Sequence, residues 1–293
     1  MTDTAERLAR PAPRRLPHPV GSRRPRADRS WIGTVVGILL LAVMLFPVYW
    51  MVNISLQPAG PAIQAAWFPF EAQFDGYATA LSEQGRALGT SLVIALGSVV
   101  LSLAVATPAA YALAQFPFRW IDVVLFGILI SQMIPGIVVA NALYAAYNDL
   151  GLLNSIPGLI LADSTAGIPF AILIMRAFMA GIPPSIIEAA KVDGAGDFRA
   201  FRSIVLPVSV NAVITAGLFT FLFTWSDFLF ALTLTTTDDV RPITLGIYQY
   251  IGTYTADWST VMATAVLASL PAIVLLLAAQ RFIAAGATGG AVK

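Results

Sequence analysis

Six segments of this chain are apolar, nearly free of charge and long enough to cross a lipid bilayer. The first has 23 residues, which would form about 34 Å of helix against a hydrocarbon core of ~30 Å. Unpaired backbone amides in lipid cost several kcal/mol each, so each segment is expected to be helical. The only charged residues inside them are Asp163 and Asp227, and the third is expected to break at Pro135-Gly136. The segments are residues 31–53, 88–116, 123–147, 159–175, 208–235 and 258–279.

The composition supports an all-α integral membrane fold with six transmembrane helices. Of the 293 residues 58% are hydrophobic and only 11% are charged, whereas about 25% of a soluble domain is charged. The chain has no cysteine, which excludes disulfides and thiolate metal sites, and its single histidine lies in the N-terminal region. We therefore expect no metal site and no bound cofactor.

The distribution of positive charge predicts the orientation of the chain. Six spans place both termini on one side, and of the 17 Lys and Arg residues only Arg86 and Arg241 then lie on the other side. Because positive loops are retained in the cytoplasm, both termini are predicted to be cytoplasmic. Residues 1–30, rich in Arg and Pro, are expected to form a disordered cytoplasmic tail. Residues 31–283 form the transmembrane domain, and residues 284–293 form a cytoplasmic C-terminal tail.

A polar loop, residues 181–206, interrupts this pattern between the fourth and fifth spans. Ser185 and Glu188 have the spacing of a capping box, which predicts a helix start there. Gly194 suits a C-terminal cap with positive φ, and Asp197 could cap a second short helix. The pattern predicts a helix-turn-helix on the cytoplasmic side.

This second helix is expected to be amphipathic. Phe198, Phe201 and Val205 should line one face, with Arg199 and Arg202 pointing elsewhere. A single amphipathic helix would be typical of a membrane surface. Two capped helices at an angle, with small alanines on one face, favour docking to another protein.

The same residues resemble a known motif. Glu188-Ala189-Ala190, Gly194 and the ending Ile204-x-Leu206-Pro207 match the EAA loop of ABC importer permeases at full spacing. Two further stretches, FTWSDFLFALTLT at 223–235 and MIPGIVVANALYAAYNDLGLLNSIPGLIL at 133–161, look like the carbohydrate-uptake branch, the maltose-permease type of subunit. The resemblance covers roughly residues 30–293.

The resemblance implies a mechanism that spacing alone does not give. In that family the EAA helices couple the permease to a cytoplasmic ATPase, whose closure drives alternating access. It implies two ATPase subunits carrying ATP and Mg, a second permease subunit, an extracytoplasmic solute-binding protein, a sugar as solute and a bacterial inner membrane. It also implies that the C-terminal tail reaches along the ATPase dimer. The coupling residues carried over are Glu188, Ala189, Ala190, Asp193, Gly194 and Phe198.

Candidates for the solute path come from polar and aromatic residues within the spans. Charged groups inside a bilayer are costly, which makes Asp163 and Asp227 functional candidates. Sugars are bound by aromatic faces and hydrogen-bonding groups, which adds Trp225, Gln132 and Asn141. The alternatives are a hydrogen-bonded structural acid at Asp163 and core or interface packing for the tryptophan.

The same sequence must be compared with what other functions would require. An importer of another small solute, such as a glycerol phosphoester or a polyamine, has the same loop. A secondary transporter would be expected to show inverted repeats or paired acids. An enzyme is not expected, because neither Lys191 nor Lys293 ends a phosphate-binding G-x-x-x-x-G-K-[ST] loop and no nucleophile motif occurs. Energy must then come from a partner, and no nucleic-acid partner is expected.

Overall fold

The computed structural model describes residues 31–61, 65–117, 119–253 and 257–289. Within these ranges the side chains of 249–253 and 283–289 are not described. The predictions for the tail at 1–30 and for the end of the chain at 290–293 lie outside the described residues. Residues 31–47 are one helical stretch, and residues from Val48 onward form a compact helical unit.

All regular secondary structure in the described ranges is helical. Trp31–Ser55 is α1, Asp75–Gln115 is α2, Ile121–Ser131 is α3, Gly136–Leu150 is α4, Ile156–Met179 is α5 and Pro184–Val192 is α6. Asp197–Ala200 is α7, followed by a π-helical turn Phe201–Val205 and by α8 at Leu206–Val208. Val210–Trp225 is α9, Leu229–Leu234 is α10, Ile243–Thr253 is α11 and Trp258–Gly289 is α12.

Four of these helices, α1, α2, α5 and α12, are long and apolar enough to cross a membrane. Two bent pairs could each form one further span: α3 with α4, bent by 89°, and Asp197–Val208 with α9, bent by 74°. The all-helical membrane fold is therefore confirmed with four to six spans, and the count of six stays a prediction. The first pair breaks at Pro135-Gly136, where the sequence predicts it.

The fifth predicted span, 208–235, is not continuous. The helix ends at Trp225 and restarts at Leu229. The Asp227 carboxylate accepts hydrogen bonds from the backbone amides of Phe230 at 3.4 Å and Ala231 at 3.1 Å. The N-cap residue itself, Phe228, offers no side-chain bond, so the half-buried Asp227 one residue earlier supplies the acceptor for the first free amides of α10.

The stretches between the first and second and between the fifth and sixth predicted spans, residues 54–87 and 236–257, also contain helix. Helix α2 begins at Asp75 and runs for 41 residues, about 60 Å, or roughly twice the thickness of the hydrocarbon core. Helix α11 lies between the fifth and sixth predicted spans. Both differences arise because helical hydrogen bonding continues through polar sequence when tertiary contacts support it.

The core forms where α2 crosses α5 and α9, and small residues allow the close approach. Ala106, Ala171 and Ala216 are completely buried at this crossing. At Gly167 a Cβ atom would lie 2.7 Å from the Ser102 hydroxyl oxygen. Small side chains at helix crossings are typical of membrane bundles, in which packing replaces the hydrophobic effect between helices.

Candidate functional sites

The polar loop is fixed to the ends of α2 and α5. Ile182 and Ile187 are buried in the same core as Met179. The Gln115 amide donates to the Met179 carbonyl at 2.6 Å, and Arg176 Nε donates to the Leu113 carbonyl at 3.3 Å. These two bonds join the ends of α2 and α5, and the buried Ile182 and Ile187 pack the loop against them.

The first helix of the loop does not begin with the predicted capping box. Helix α6 starts at Pro184 with Pro183 at the N-cap, and no side chain caps it. Proline at the first helical position has its φ preset and lacks the amide that would need a partner, so the start lies before Ser185. Glu188 is consequently exposed and free of the predicted capping bond.

The end of this helix agrees with the prediction. Gly194 has φ +82°, and its amide donates to the Lys191 carbonyl at 3.0 Å. The Ala195 amide donates to the Ala190 carbonyl at 2.9 Å. These two bonds are the Schellman motif, which requires a left-handed residue and so favours glycine.

Asp197 has a role other than the predicted cap. Gly196 is the N-cap of α7, with no side-chain bond. The Asp197 carboxylate instead lies 2.8 Å from Lys191 Nζ. Its hydrogen bond, and then its charge, raise the pKa of Lys191 above the ordinary lysine value. Lys191 Nζ also lies 5.9 Å from the centre of the Phe116 ring, at the end of α2.

The predicted apolar face of the second helix is only partly correct. Val205 is fully buried and Phe201 packs on Tyr111 with ring centres 5.1 Å apart. Phe198 is 74% exposed, and Ala200 takes the buried position instead. The α-helical periodicity fails because the chain changes to a π-turn at Phe201, closed by the Leu206 amide on the Phe201 carbonyl.

The outward surface of the helix pair combines charged and apolar groups. Val192, which the sequence did not single out, is 88% exposed. Of the six predicted coupling residues only Ala190 is buried, at 7% exposure. The five that face outward are Glu188, Ala189, Asp193, Gly194 and Phe198.

Two of the predicted solute-path residues come together. Asp163 on α5 and Asp227 line one small cleft, with Ser91 of α2 and Thr224 of α9 at its wall. Asp163 is buried. Among the residues that the structure describes, no Lys, Arg or His lines this cleft.

The other three candidates lie elsewhere. The Trp225 indole is buried, donates to the Ala268 carbonyl at 3.0 Å and stacks on Phe221. Gln132, at the end of α3, and Asn141, on α4, are exposed and do not line the acidic cleft. Their part in a solute path stays a prediction.

Comparison with known proteins identifies the protein family to which this chain belongs. Residues 106–288 match the family described as binding-protein-dependent transport system inner membrane component. The chain belongs to this family. It is a permease component of an ABC-type transport system, and ATP hydrolysis belongs to a separate subunit.

Individual relatives are similar over nearly the whole chain. The diacetylchitobiose uptake system permease protein DasC of Streptomyces coelicolor is 30% identical, covering 92% of this chain and 99% of the relative. The trehalose transport system permease protein SugB of Mycobacterium tuberculosis is 32% identical, covering 91% and 99%. A solved chain of a bacterial ABC transporter for the acidic polysaccharide alginate has a TM-score of 0.73 at 23% identity, covering 87% of this chain and 97% of that chain. This last likeness concerns the fold.

Proposed function

We propose that this chain is a permease subunit of an ATP-driven, binding-protein-dependent importer of a sugar or oligosaccharide, which passes its solute by alternating access. The sugar assignment is supported by relatives named for diacetylchitobiose and trehalose uptake at 30% and 32% identity. Import of a glycerol phosphoester or a polyamine is the alternative within the family.

One observation carries the coupling part of this proposal. The α6–α7 pair is anchored by Ile187 and Ala200 in the bundle core, while Glu188 and Phe198 face outward. An anchored element with an exposed surface transmits a push on that surface to the helices beneath it. The surface would sit on a cytoplasmic ATPase, with ATP and Mg bound by that partner. The complete importer would contain two ATPase subunits, a second permease subunit and an extracytoplasmic solute-binding protein.

The topology follows from the same proposal. Each bent helix pair counts as one span, which gives six spans and places both termini in the cytoplasm. Arg86 and Arg241 are then the two cations on the outer side, and the α6–α7 pair faces the ATPase. A bacterial inner membrane is the corresponding location.

The solute path is proposed to pass the acidic cleft. Carboxyl oxygens accept hydrogen bonds from sugar hydroxyls, and both Asp163 and Asp227 line this cleft. Opening of the bundle would be needed to admit a sugar ring, because the cleft has a volume of only about 10 Å³, roughly one water molecule. Trp225, Gln132 and Asn141 remain secondary candidates along this path.

Uptake by reconstituted proteoliposomes tests the proposal. The complex formed with the ATPase and the second permease should take up labelled trehalose, maltose or diacetylchitobiose only with ATP and binding protein present. Labelled spermidine and glycerol phosphodiesters serve as competing solutes, and their uptake instead of sugars would contradict the sugar assignment. Uptake by the permease subunits without an ATPase, driven by an ion gradient, would point to a secondary transporter.

A further inference from the structure

The segment between α1 and α2 carries a cluster of exposed aromatic side chains. Its sequence from 66 to 74 is AWFPFEAQF, in which Glu71 is the only charged residue. Phe70 is 88% exposed and Trp67 is 73% exposed, and Phe68 and Phe74 are also exposed. We call these four aromatic residues the aromatic hook.

The start of the hook is held against the last turns of α1. The Ala66 carbonyl accepts hydrogen bonds from Asn53 Nδ2 at 2.8 Å and Gln57 Nε2 at 2.6 Å. The Ala66 amide donates to Gln57 Oε1 at 2.7 Å. One step further, the Trp67 carbonyl accepts a hydrogen bond from the Tyr49 hydroxyl. The backbone therefore folds back along α1 instead of leaving it.

These bonds define the depth of the hook. Tyr49 lies six residues before Ser55, the last residue of α1, which corresponds to about 9 Å along the helix. Helix α1 has 25 residues and is about 37 Å long, only a few ångströms more at each end than a ~30 Å hydrocarbon core. The backbone at Trp67 thus lies within about 5 Å of the boundary between hydrocarbon and headgroups.

The other end of the hook returns to the end of α1. The Gln73 amide donates to the Leu56 carbonyl at 2.9 Å, just beyond Ser55. The side chains between these two attachments project from a loop fixed at both ends. The Trp50 and Trp67 rings, with centres 5.3 Å apart, add a further contact at the deeper attachment.

We propose that the aromatic hook is a membrane-interface anchor that inserts its side chains between the lipid headgroups beside α1. Tryptophan is enriched in this zone, and phenylalanine occurs with it on the apolar side of segments that lie in the membrane interface. The patch lies beside the last turns of α1, where Asn53 and Gln57 hold Ala66, and its single carboxylate, Glu71, is exposed. The proposal depends on α1 crossing the bilayer and not on the solute or on ATPase coupling.

Spin labelling tests the anchor directly, since the chain has no native cysteine to compete. Phe70→Cys, and Phe74→Cys as a second site, would be labelled with a nitroxide in the complete complex in phospholipid vesicles. Collision rates with oxygen, which partitions into lipid, and with a water-soluble nickel chelate report depth, calibrated with spin-labelled lipids. Asp149→Cys, at an exposed acid on α4, is the matched aqueous control.

The anchor predicts a several-fold higher ratio of oxygen to nickel collisions at 70 than at 149, with or without the binding protein. A ratio at both 70 and 74 equal to that at 149 would overturn it. A drop in nickel collisions that appears only when binding protein is added would also overturn it, because the hook would then be a protein-docking surface. The readout requires no transport, so a failed sugar assay leaves it interpretable.

Discussion

Lys191 Nζ lies 2.8 Å from Asp197 Oδ1, and this ion pair closes the turn between the two helices of the cytoplasmic loop. Both side chains are about half exposed, so the pair adds little to the free energy of unfolding. Its effect is geometric, since it joins the last turn of α6 to the first residue of α7. Lys191 also contacts the ring of Phe116 and so links the turn to α2.

Reversing this ion pair should alter coupling more than stability. Lys191→Asp or Asp197→Lys alone places like charges together and should lower the ATPase stimulation produced by loaded binding protein. The double variant Lys191→Asp/Asp197→Lys should recover most of it. Equal losses in the single and double variants would show that the charges act separately.

The same pair predicts a flat pH response near neutrality. The hydrogen bond to Asp197 raises the pKa of Lys191, so the contribution of the charged lysine is complete below its ordinary value of 10.5. It is lost only as the pH rises through the raised pKa. The stimulated ATPase ratio of wild type relative to Lys191→Met, measured from neutral pH up to 10.5, should therefore stay constant. A ratio that falls within this range would contradict an intact ion pair.

Two neighbouring glycines provide a matched test of the turn. Gly194 has φ +82° and Gly196 has φ −71°, and an added Cβ would contact nothing within 4 Å at either position. Gly194→Ala should therefore cost about 1–2 kcal/mol through backbone strain alone, whereas Gly196→Ala should be nearly neutral. Thermal unfolding of the complex and stimulated ATPase activity measure both effects. Equal unfolding midpoints and equal ATPase stimulation in the two variants would contradict the requirement for a left-handed backbone conformation at residue 194.

The sequence predicts those features that depend on one residue or one continuous segment, and it does not predict contacts that form only in the folded chain. The apolar segments were identifiable because the bilayer fixes the length of any spanning helix. Gly194 was identifiable because positive φ is a property of a single residue. Hydropathy alone misses the break in the fifth span, because the hydrogen bonds from the Phe230 and Ala231 amides to Asp227 are evident only in the fold.

Contacts that depend on the path of the turn cannot be predicted from the sequence. Lys191 and Asp197 are six residues apart, a spacing that no regular helix brings together. An α-helical period from 198 to 205 predicts that Phe198 is buried, but the chain is π-helical from Phe201 to Val205. The start of α6 was misplaced because Pro183-Pro184 outweighs the capping pattern that follows.

Close packing at the crossing of α2 and α5 leads to a stability prediction. A methyl group at Gly167 would lie 2.7 Å from Ser102 Oγ and 2.9 Å from Thr220 Cγ2. Gly167→Ala should lower the free energy of unfolding by about 1–3 kcal/mol through overpacking. Gly89→Ala, also within a helix but with no atom within 4 Å of the new methyl, is the control and should be neutral or slightly stabilising. Thermal unfolding of the purified complex separates the two, and an unchanged midpoint for Gly167→Ala would contradict this packing.

The two acids of the cleft should respond differently to substitution. Asp227→Ala removes the cap of α10 and should cost about 1 kcal/mol, while Asp227→Asn keeps a capping oxygen and should cost less. Asp163→Asn replaces a buried carboxyl group by an uncharged amide of nearly the same shape, so stability should be kept or increased. Reduced sugar uptake with normal stability in Asp163→Asn would support a solute role. Normal uptake would leave Asp163 outside the path.

The most direct test of the account is ATP hydrolysis by the complex that co-purifies with the tagged chain. Wild type is compared with Glu188→Lys, on the exposed face of α6, and with Asp149→Lys, which makes the same charge change at an exposed acid on α4. We predict hydrolysis that loaded binding protein stimulates in wild type and Asp149→Lys but not in Glu188→Lys. Full stimulation in Glu188→Lys, or the absence of any co-purifying ATPase from cells that express all subunits, would contradict the assignment of the α6–α7 pair as the coupling element.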